Sequence, residues 1–180
     1  MKGIIFKAFE GFVTETWGED FFERLLETAR PGSAGAYVSP GTYPDEELYA
    51  LVAAAVDRLD IPLDAALQAF GRYAFGALAA SMPGLLRTVP DAPTLLRMVD
   101  GVIHVEVRKL YPQAATPRIR FEPSGPRGGR VVYESPRRLC PLLVGLMVGL
   151  GDHYGTPLDY RETACTRQGA EHCEFEVKFS

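Results

Sequence analysis

His104 is one of only three histidines in the chain. It is also the only one set among apolar residues, in the run Gly101-Val102-Ile103-His104-Val105-Glu106-Val107-Arg108-Lys109-Leu110-Tyr111-Pro112. Neutral imidazole is a common ligand for iron and zinc, so one reading is a single axial ligand to a metal cofactor. The other is a core histidine satisfied by a backbone carbonyl. In Tyr133-Glu134-Ser135-Pro136-Arg137 the polar residues Tyr133, Ser135 and Arg137 fall at every second position, which on an extended chain puts them on one face. A phenol, a hydroxyl and a guanidinium aimed together suit carboxylates or phosphates, and arginine can grip one bidentately. A solvated strand face with a capping serine fits the same pattern. Cys140, Cys165 and Cys173 form a third set. An odd number of cysteines argues against a disulfide framework and for a reducing, cytoplasmic setting.

The elements that must carry these groups are marked by periodicity. Ile4, Ile5, Phe6, Phe9, Phe12 and Val13 have helical spacing and predict a helix over 1–16. Gly18 breaks it, and Asp20 is placed to cap a second helix over 21–29. A loop of glycine, serine and proline fills 31–43. Pro44-Asp45-Glu46-Glu47 places proline and acids in a first turn, where they suit the dipole of a helix running to Leu59. Helices are expected over 63–80, 85–88 and 91–111, the last interrupted at Gly101. After Pro117 the pattern alternates over 118–122 and 130–135, and the turn between them makes a hairpin. The apolar stretch 139–154 reads as a helix whose Gly145, Gly149 and Gly151 let something approach its backbone. Two more alternating strands, 158–165 and 172–179, flank a turn at Gly169. The expected class is α+β: a helical N-terminal lobe packed with a C-terminal four-stranded antiparallel sheet that carries one inserted helix. Residues buried on all sides are expected only in the helices facing that sheet.

Composition narrows the function classes. A length of 180 residues suits one domain. Hydrophobic content of 47% and charged content of 23% are ordinary for a soluble globular protein. A net charge of −4 argues against a general nucleic-acid binder. No signal-peptide pattern opens the chain, and the apolar run 139–150 is too short and glycine-rich to span a bilayer. The glycines of 125–129 join two strands rather than opening a helix, so no phosphate loop is present.

The Tyr-x-Ser-x-Arg run at Tyr133, Ser135 and Arg137, preceded by His104 in an Ile-His-x-x-Val-x-x-x-Tyr-Pro context, resembles the haem nitric oxide/oxygen binding (H-NOX) family. These are bacterial relatives of the sensor domain of soluble guanylate cyclase. The likeness extends over nearly the whole chain. It includes the Met1-Lys2-Gly3 start, Gly18-Glu19-Asp20, Ala69-Phe70-Gly71-Arg72-Tyr73 and the helix from Cys140 to Gly151. The resemblance implies a single domain over 1–180, with a distal helical lobe at about 1–62, a proximal lobe with the sheet at about 63–180, and haem b between them. It implies His104 as the ligand to the haem iron, and Tyr133, Ser135 and Arg137 as holders of the haem propionates. Pro117 matches the proline that presses on the porphyrin, and it also serves as helix-to-strand punctuation.

On the gas side, relatives that hold oxygen carry a hydrogen-bonding tyrosine where this chain has Leu142. Phe9 matches an aromatic near the family's N-terminus and has no donor. Ile5, Phe75 and Leu146 complete a dry wall, and Ala74 falls where relatives carry a bulkier aromatic. Tyr73 is the nearby phenol that would change this picture if it turned inward. Bound oxygen is polarised and needs a donor, whereas nitric oxide on ferrous iron needs little. The resemblance therefore implies a cytoplasmic sensor of nitric oxide and carbon monoxide that excludes oxygen and is not an enzyme. Signalling would follow release of His104 and relaxation of the haem against Pro117. With no effector region in the sequence, the expected partner is a separate protein such as a histidine kinase or a cyclic-di-GMP enzyme, with no nucleic acid and no membrane involved.

Some relatives carry a structural zinc on three cysteines and a histidine. Cys140, Cys165 and Cys173 match those cysteines, while Glu162 stands where the histidine is expected. His172 or Glu162 would supply the fourth ligand. Other functions weighed are a haem enzyme such as a peroxidase or nitric oxide dioxygenase, a haem-free small-molecule-binding module of the vinyl-reductase-like type, and a zinc-thiolate redox sensor. The enzyme would need distal acid–base residues, and His153 and His172 lie outside the expected distal wall.

Overall fold

The apolar stretch after residue 139 becomes helix α8 (Cys140–His153) and holds two cores at once. A helix apolar on all sides has to be buried on all sides. Leu142 enters a core built by the N-terminal helices, with Phe6, Phe9, Leu51 and Phe70. Leu143, Val144, Met147 and Leu150 enter a second core with Leu95, Val131, Phe175 and Phe179. A computed structural model describes residues 1–180. Before α8 come α1 (Gly3–Trp17), α2 (Glu19–Ala29), α3 (Asp45–Leu59), α4 (Leu63–Ser81), the short α5 (Pro83–Leu86) and α6 (Ala92–Met98). A π-helical turn, Val99–Ile103, then leads into α7 (His104–Leu110). Strands β1 (Arg118–Pro123) and β2 (Gly128–Glu134) precede α8, and β3 (Leu158–Ala164) and β4 (Cys173–Phe179) follow it.

The four strands form one antiparallel sheet in the order β1-β2-β4-β3. Its inner face packs under α8. The expectation that only helical residues are fully buried is corrected here, because Val131, Cys173, Phe175 and Phe179 of the strands are as buried as any helical side chain. A sheet covered on one face buries every second residue there, as completely as a helix buries its apolar stripe. The fold is the α+β arrangement expected, with helices first and the sheet last.

Local chemistry accounts for the smaller departures. Gly18, at φ 91°, both ends α1 and begins α2, so Asp20 lies inside the first turn and does not cap it. A positive φ there costs glycine nothing. The short helix starts at Pro83 rather than 85, as suits a residue with φ preset for a first helical position. The long helix expected over 91–111 is three pieces, begun by the Asp91 side chain accepting from the Thr94 amide.

The close approach expected at the α8 glycines is made by α4 at Gly145 and Gly149, and by Thr156 and Leu158 at Gly151. A Cβ on Gly149 would lie 2.6 Å from the Arg72 carbonyl oxygen, and Gly71 and Gly145 face backbone atoms of the opposite helix in the same way. No helix is long and apolar enough to cross a membrane.

Candidate functional site

The backbone around His104 is irregular. The π-helical turn Val99–Ile103 runs directly into it, and α7 begins at His104 itself. Such turns are rare and often mark functional positions. The side chain is 15% exposed, and its Nδ1 atom is buried with no hydrogen-bond partner. The nearest carboxylate oxygen, Asp100 Oδ1, lies 3.6 Å away and is likewise buried and unpartnered. That distance is too long for a hydrogen bond. Burial lowers the imidazole pKa below 6.5, with Asp100 and the Pro117 carbonyl opposing. A neutral imidazole can ligate a metal through one nitrogen while the other donates to a nearby acceptor. Four residues further along, Arg108 places Nη1 4.0 Å from the same Asp100 oxygen and donates to Thr116 Oγ1 at 2.6 Å.

The three anchor residues converge, although not as one extended face. Strand β2 ends at Glu134, so only Tyr133 is on it, buried opposite Ile119 of β1 and Cys173 of β4. Beyond it the Arg137 amide donates to Ser135 Oγ at 3.2 Å, a local turn that folds Arg137 back. Burial raises the Tyr133 pKa, and the Ser135 hydroxyl beside it works against that rise. The Arg137 guanidinium already grips a carboxylate: Nε donates to Asp45 Oδ2 at 2.6 Å, Nη2 to Oδ1 at 3.2 Å, and Nη1 to the Ala115 carbonyl at 2.6 Å. The Met1 amine lies 2.7 Å from Asp45 as well. Burial works against ionising Asp45, yet Arg137 and the amine outweigh it and hold its carboxyl below the usual value. Lys2 Nζ sits 3.5 Å above the Tyr111 ring, joining the N-terminal segment to the end of α7.

Each core presents a fringe of half-buried apolar side chains, Ile5, Leu139 and Leu146 on the first and Phe75, Met98 and Ile103 on the second. Pro117 is half-buried just ahead of β1. Phe9, Ala74 and Leu142 are inside the first core, Phe9 meeting Phe70 edge-on at 5.2 Å. Tyr73 points elsewhere: its hydroxyl donates to Glu15 at 2.6 Å on an exposed surface, where burial and that carboxylate push its pKa up to about 12. An imidazole with a free nitrogen, apolar fringes and a phenol–hydroxyl–guanidinium group fit a haem, which needs one axial ligand, dry walls and polar holders at its carboxylate edge.

The cysteines meet at a separate place. The sulfurs of Cys140, Cys165 and Cys173 lie within 4.8 Å of one another, all buried. Burial and the Cys165 sulfur push the Cys140 thiol up to about 12. Glu162 borders the same cleft, beside Cys165. His172 turns to the other side of β4, where Nε2 is 2.8 Å from Glu174.

A model of the haem-NO-binding family matches residues 2–162. The chain belongs to the H-NOX family. An H-NOX protein from S. oneidensis in the Fe(II)NO ligation state is 32% identical, with a TM-score of 0.93 over 100% of this chain and 99% of that one. An H-NOX domain from Shewanella oneidensis in the Fe(II)CO ligation state gives 0.90 at 32% identity, over 100% and 99%. An unliganded Fe(II) H-NOX protein from K. algicida is 28% identical, with a TM-score of 0.89 over 100% and 97%.

Two residues of this H-NOX site lie outside the motifs that marked it. Asp45 is legible in sequence only as an acid suited to a helix dipole, and its partner is 92 residues away. Asp100 carried a signal, since a carboxylate four residues before a histidine on a helix shares its face.

Proposed function

We propose that this H-NOX chain is a haem b-based sensor of nitric oxide and carbon monoxide that excludes oxygen and performs no catalysis. The observation that carries the reading is His104, set in an irregular turn, kept neutral by burial and with no hydrogen bond from Nδ1 shorter than its 3.6 Å approach to Asp100. Two similar H-NOX structures in Fe(II)NO and Fe(II)CO states, each 32% identical, support the choice of gases. A haem held by His104, Tyr133, Ser135 and Arg137 would supply an iron able to take a diatomic ligand.

The chain's own residues do the rest. Tyr133, Ser135 and Arg137 hold the propionate edge, with Arg137 sharing its guanidinium between Asp45 and a propionate. Ile5, Phe9, Ala74, Phe75, Leu142 and Leu146 line the gas side and carry no side-chain donor, so nothing there rewards a polarised ligand. Tyr73 adds none while Glu15 holds its hydroxyl. His104 would hold the iron at the start of α7 and Pro117 would pack against the cofactor, so a change at His104 would be passed to α7 and to Pro117. A separate signalling protein, a histidine kinase or a cyclic-di-GMP enzyme, would read that change. Such a readout requires two conformations with different contacts.

The three buried sulfurs support a second metal, a structural zinc. Glu162, beside Cys165, is its fourth ligand, because His172 is engaged with Glu174 on the far side of the strand.

One preparation tests both. The dithionite-reduced protein should show a Soret band unchanged in air and shifted by nitric oxide and by carbon monoxide, and metal analysis should find zinc that Cys165→Ser loses. A band that shifts in air would overturn the ligand preference. Failure to take up haem would leave the haem-free binding module, and zinc unaltered by Cys165→Ser would remove the thiolate site.

A further inference from the structure

We propose that Asp100 is the positioning residue for His104: its carboxylate accepts the imidazole Nδ1–H and thereby sets how strongly Nε2 binds iron. This rests on the haem reading above and goes one shell outward from it.

Two buried polar atoms without partners are costly, and proteins rarely keep them for nothing. Here the two are neighbours, Asp100 Oδ1 and His104 Nδ1, facing each other at 3.6 Å. The Pro117 carbonyl is a further acceptor beside the imidazole, but Asp100 is the carboxylate that faces Nδ1, so each is the other's charged complement. The backbone between them is the π-helical turn Val99–Ile103. A Cβ on Gly101 in that turn would touch nothing within 4 Å, so packing does not demand glycine there. Small adjustment of a pliant turn is enough to close a few tenths of an ångström. Arg108, the only cation recorded at Asp100, lies 4.0 Å from the same oxygen and is shared with Thr116. It competes with the imidazole for the carboxylate and moderates the effect.

A carboxylate on the outer nitrogen of a metal-bound histidine fixes its tautomer and raises its basicity. For a sensor that works by letting His104 go, the consequence is a threshold. A stronger Asp100 contact holds His104 on iron against the gas bound opposite, and a weaker one releases it sooner.

The test is resonance Raman of the iron–histidine stretch and the haem midpoint potential of the reduced holoprotein, for wild type, Asp100→Asn, Asp100→Glu and Arg108→Ala. Asp100→Asn should move the stretch down and the potential up, and weaken iron retention by about 10- to 100-fold, the usual cost of losing such a partner. Asp100→Glu should restore part of the stretch. Arg108→Ala, at an exposed side chain, should move the stretch up. Stretch and potential unchanged in both Asp100→Asn and Arg108→Ala would overturn the inference and leave the haem reading intact. A wild-type ferrous spectrum retained in His104→Ala would overturn both together.

Discussion

Leu142 is the side chain on which the proposed indifference to oxygen turns. It is 9% exposed, within the core that includes Phe9 and Phe70, and it has nothing to offer a polar ligand. A phenol at this position would place a donor where a polarised diatomic could use it. Leu142→Tyr should therefore produce a reduced protein whose Soret band shifts in air, measured beside wild type, whose band should not. The larger ring has to be fitted into a packed site, so a stability loss of about 1–3 kcal/mol is expected in urea unfolding. Were Leu142→Tyr still indifferent to oxygen, exclusion would have to come from the iron side, at His104 and Asp100. At this scale the sequence was informative wherever a residue type contrasted with its neighbours: His104 stands out among apolar residues, and Tyr133 and Arg137 by their spacing. Asp45 was not legible as a partner of Arg137. Nothing local relates residues 92 positions apart until the chain folds.

The helices α4 and α8 meet through glycine. Gly71, Gly145 and Gly149 put backbone against backbone, leaving no room for a methyl group. Gly145→Ala should force the pair apart and lower stability by about 1–3 kcal/mol, read as a fall in the thermal midpoint. Gly76→Ala, where a Cβ meets nothing within 4 Å, is the matched control and should stabilise slightly. Equal midpoints for Gly145→Ala and wild type would mean the helices can separate without cost. The glycines of α8 pointed to such an approach from sequence, but not to the partner helix. Strand positions were equally legible, because alternation has a period of two. The central β2–β4 pairing was not, since alternation says which face a residue takes and nothing about which strand lies beside it. The π-helical turn was visible only as a glycine, because a change in hydrogen-bond register leaves apolar periodicity almost untouched.

Across the whole molecule, the Arg137–Asp45 ion pair ties the start of α3 to the segment after β2. Its side chains are 16% and 23% exposed, so it is screened less than a surface pair. The Asp45 pKa is depressed from 3.8 in the folded chain. Its contribution is therefore complete above the unfolded value and is lost as pH falls through the lower folded value. Asp45→Asn should cost about 2 kcal/mol near neutral pH, the scale of hydrogen bonds to charged groups. The gap from wild type should close as pH drops below about 4. Urea midpoints of both proteins between neutral and strongly acidic pH check this, and a gap independent of pH would show that Asp45 acts through shape rather than charge.

The double membership of α8 also bears on how the chain is made. Leu142 belongs to the N-terminal core, and the Leu142 carbonyl closes over Gly71. A ribosome delivering this protein from its first residue has therefore emitted α1 to α4 long before the part that covers Leu67, Phe70 and Ala74 emerges. The early lobe waits with an open apolar side until α8 emerges, so the N-terminal core is completed only well after α4 has been made.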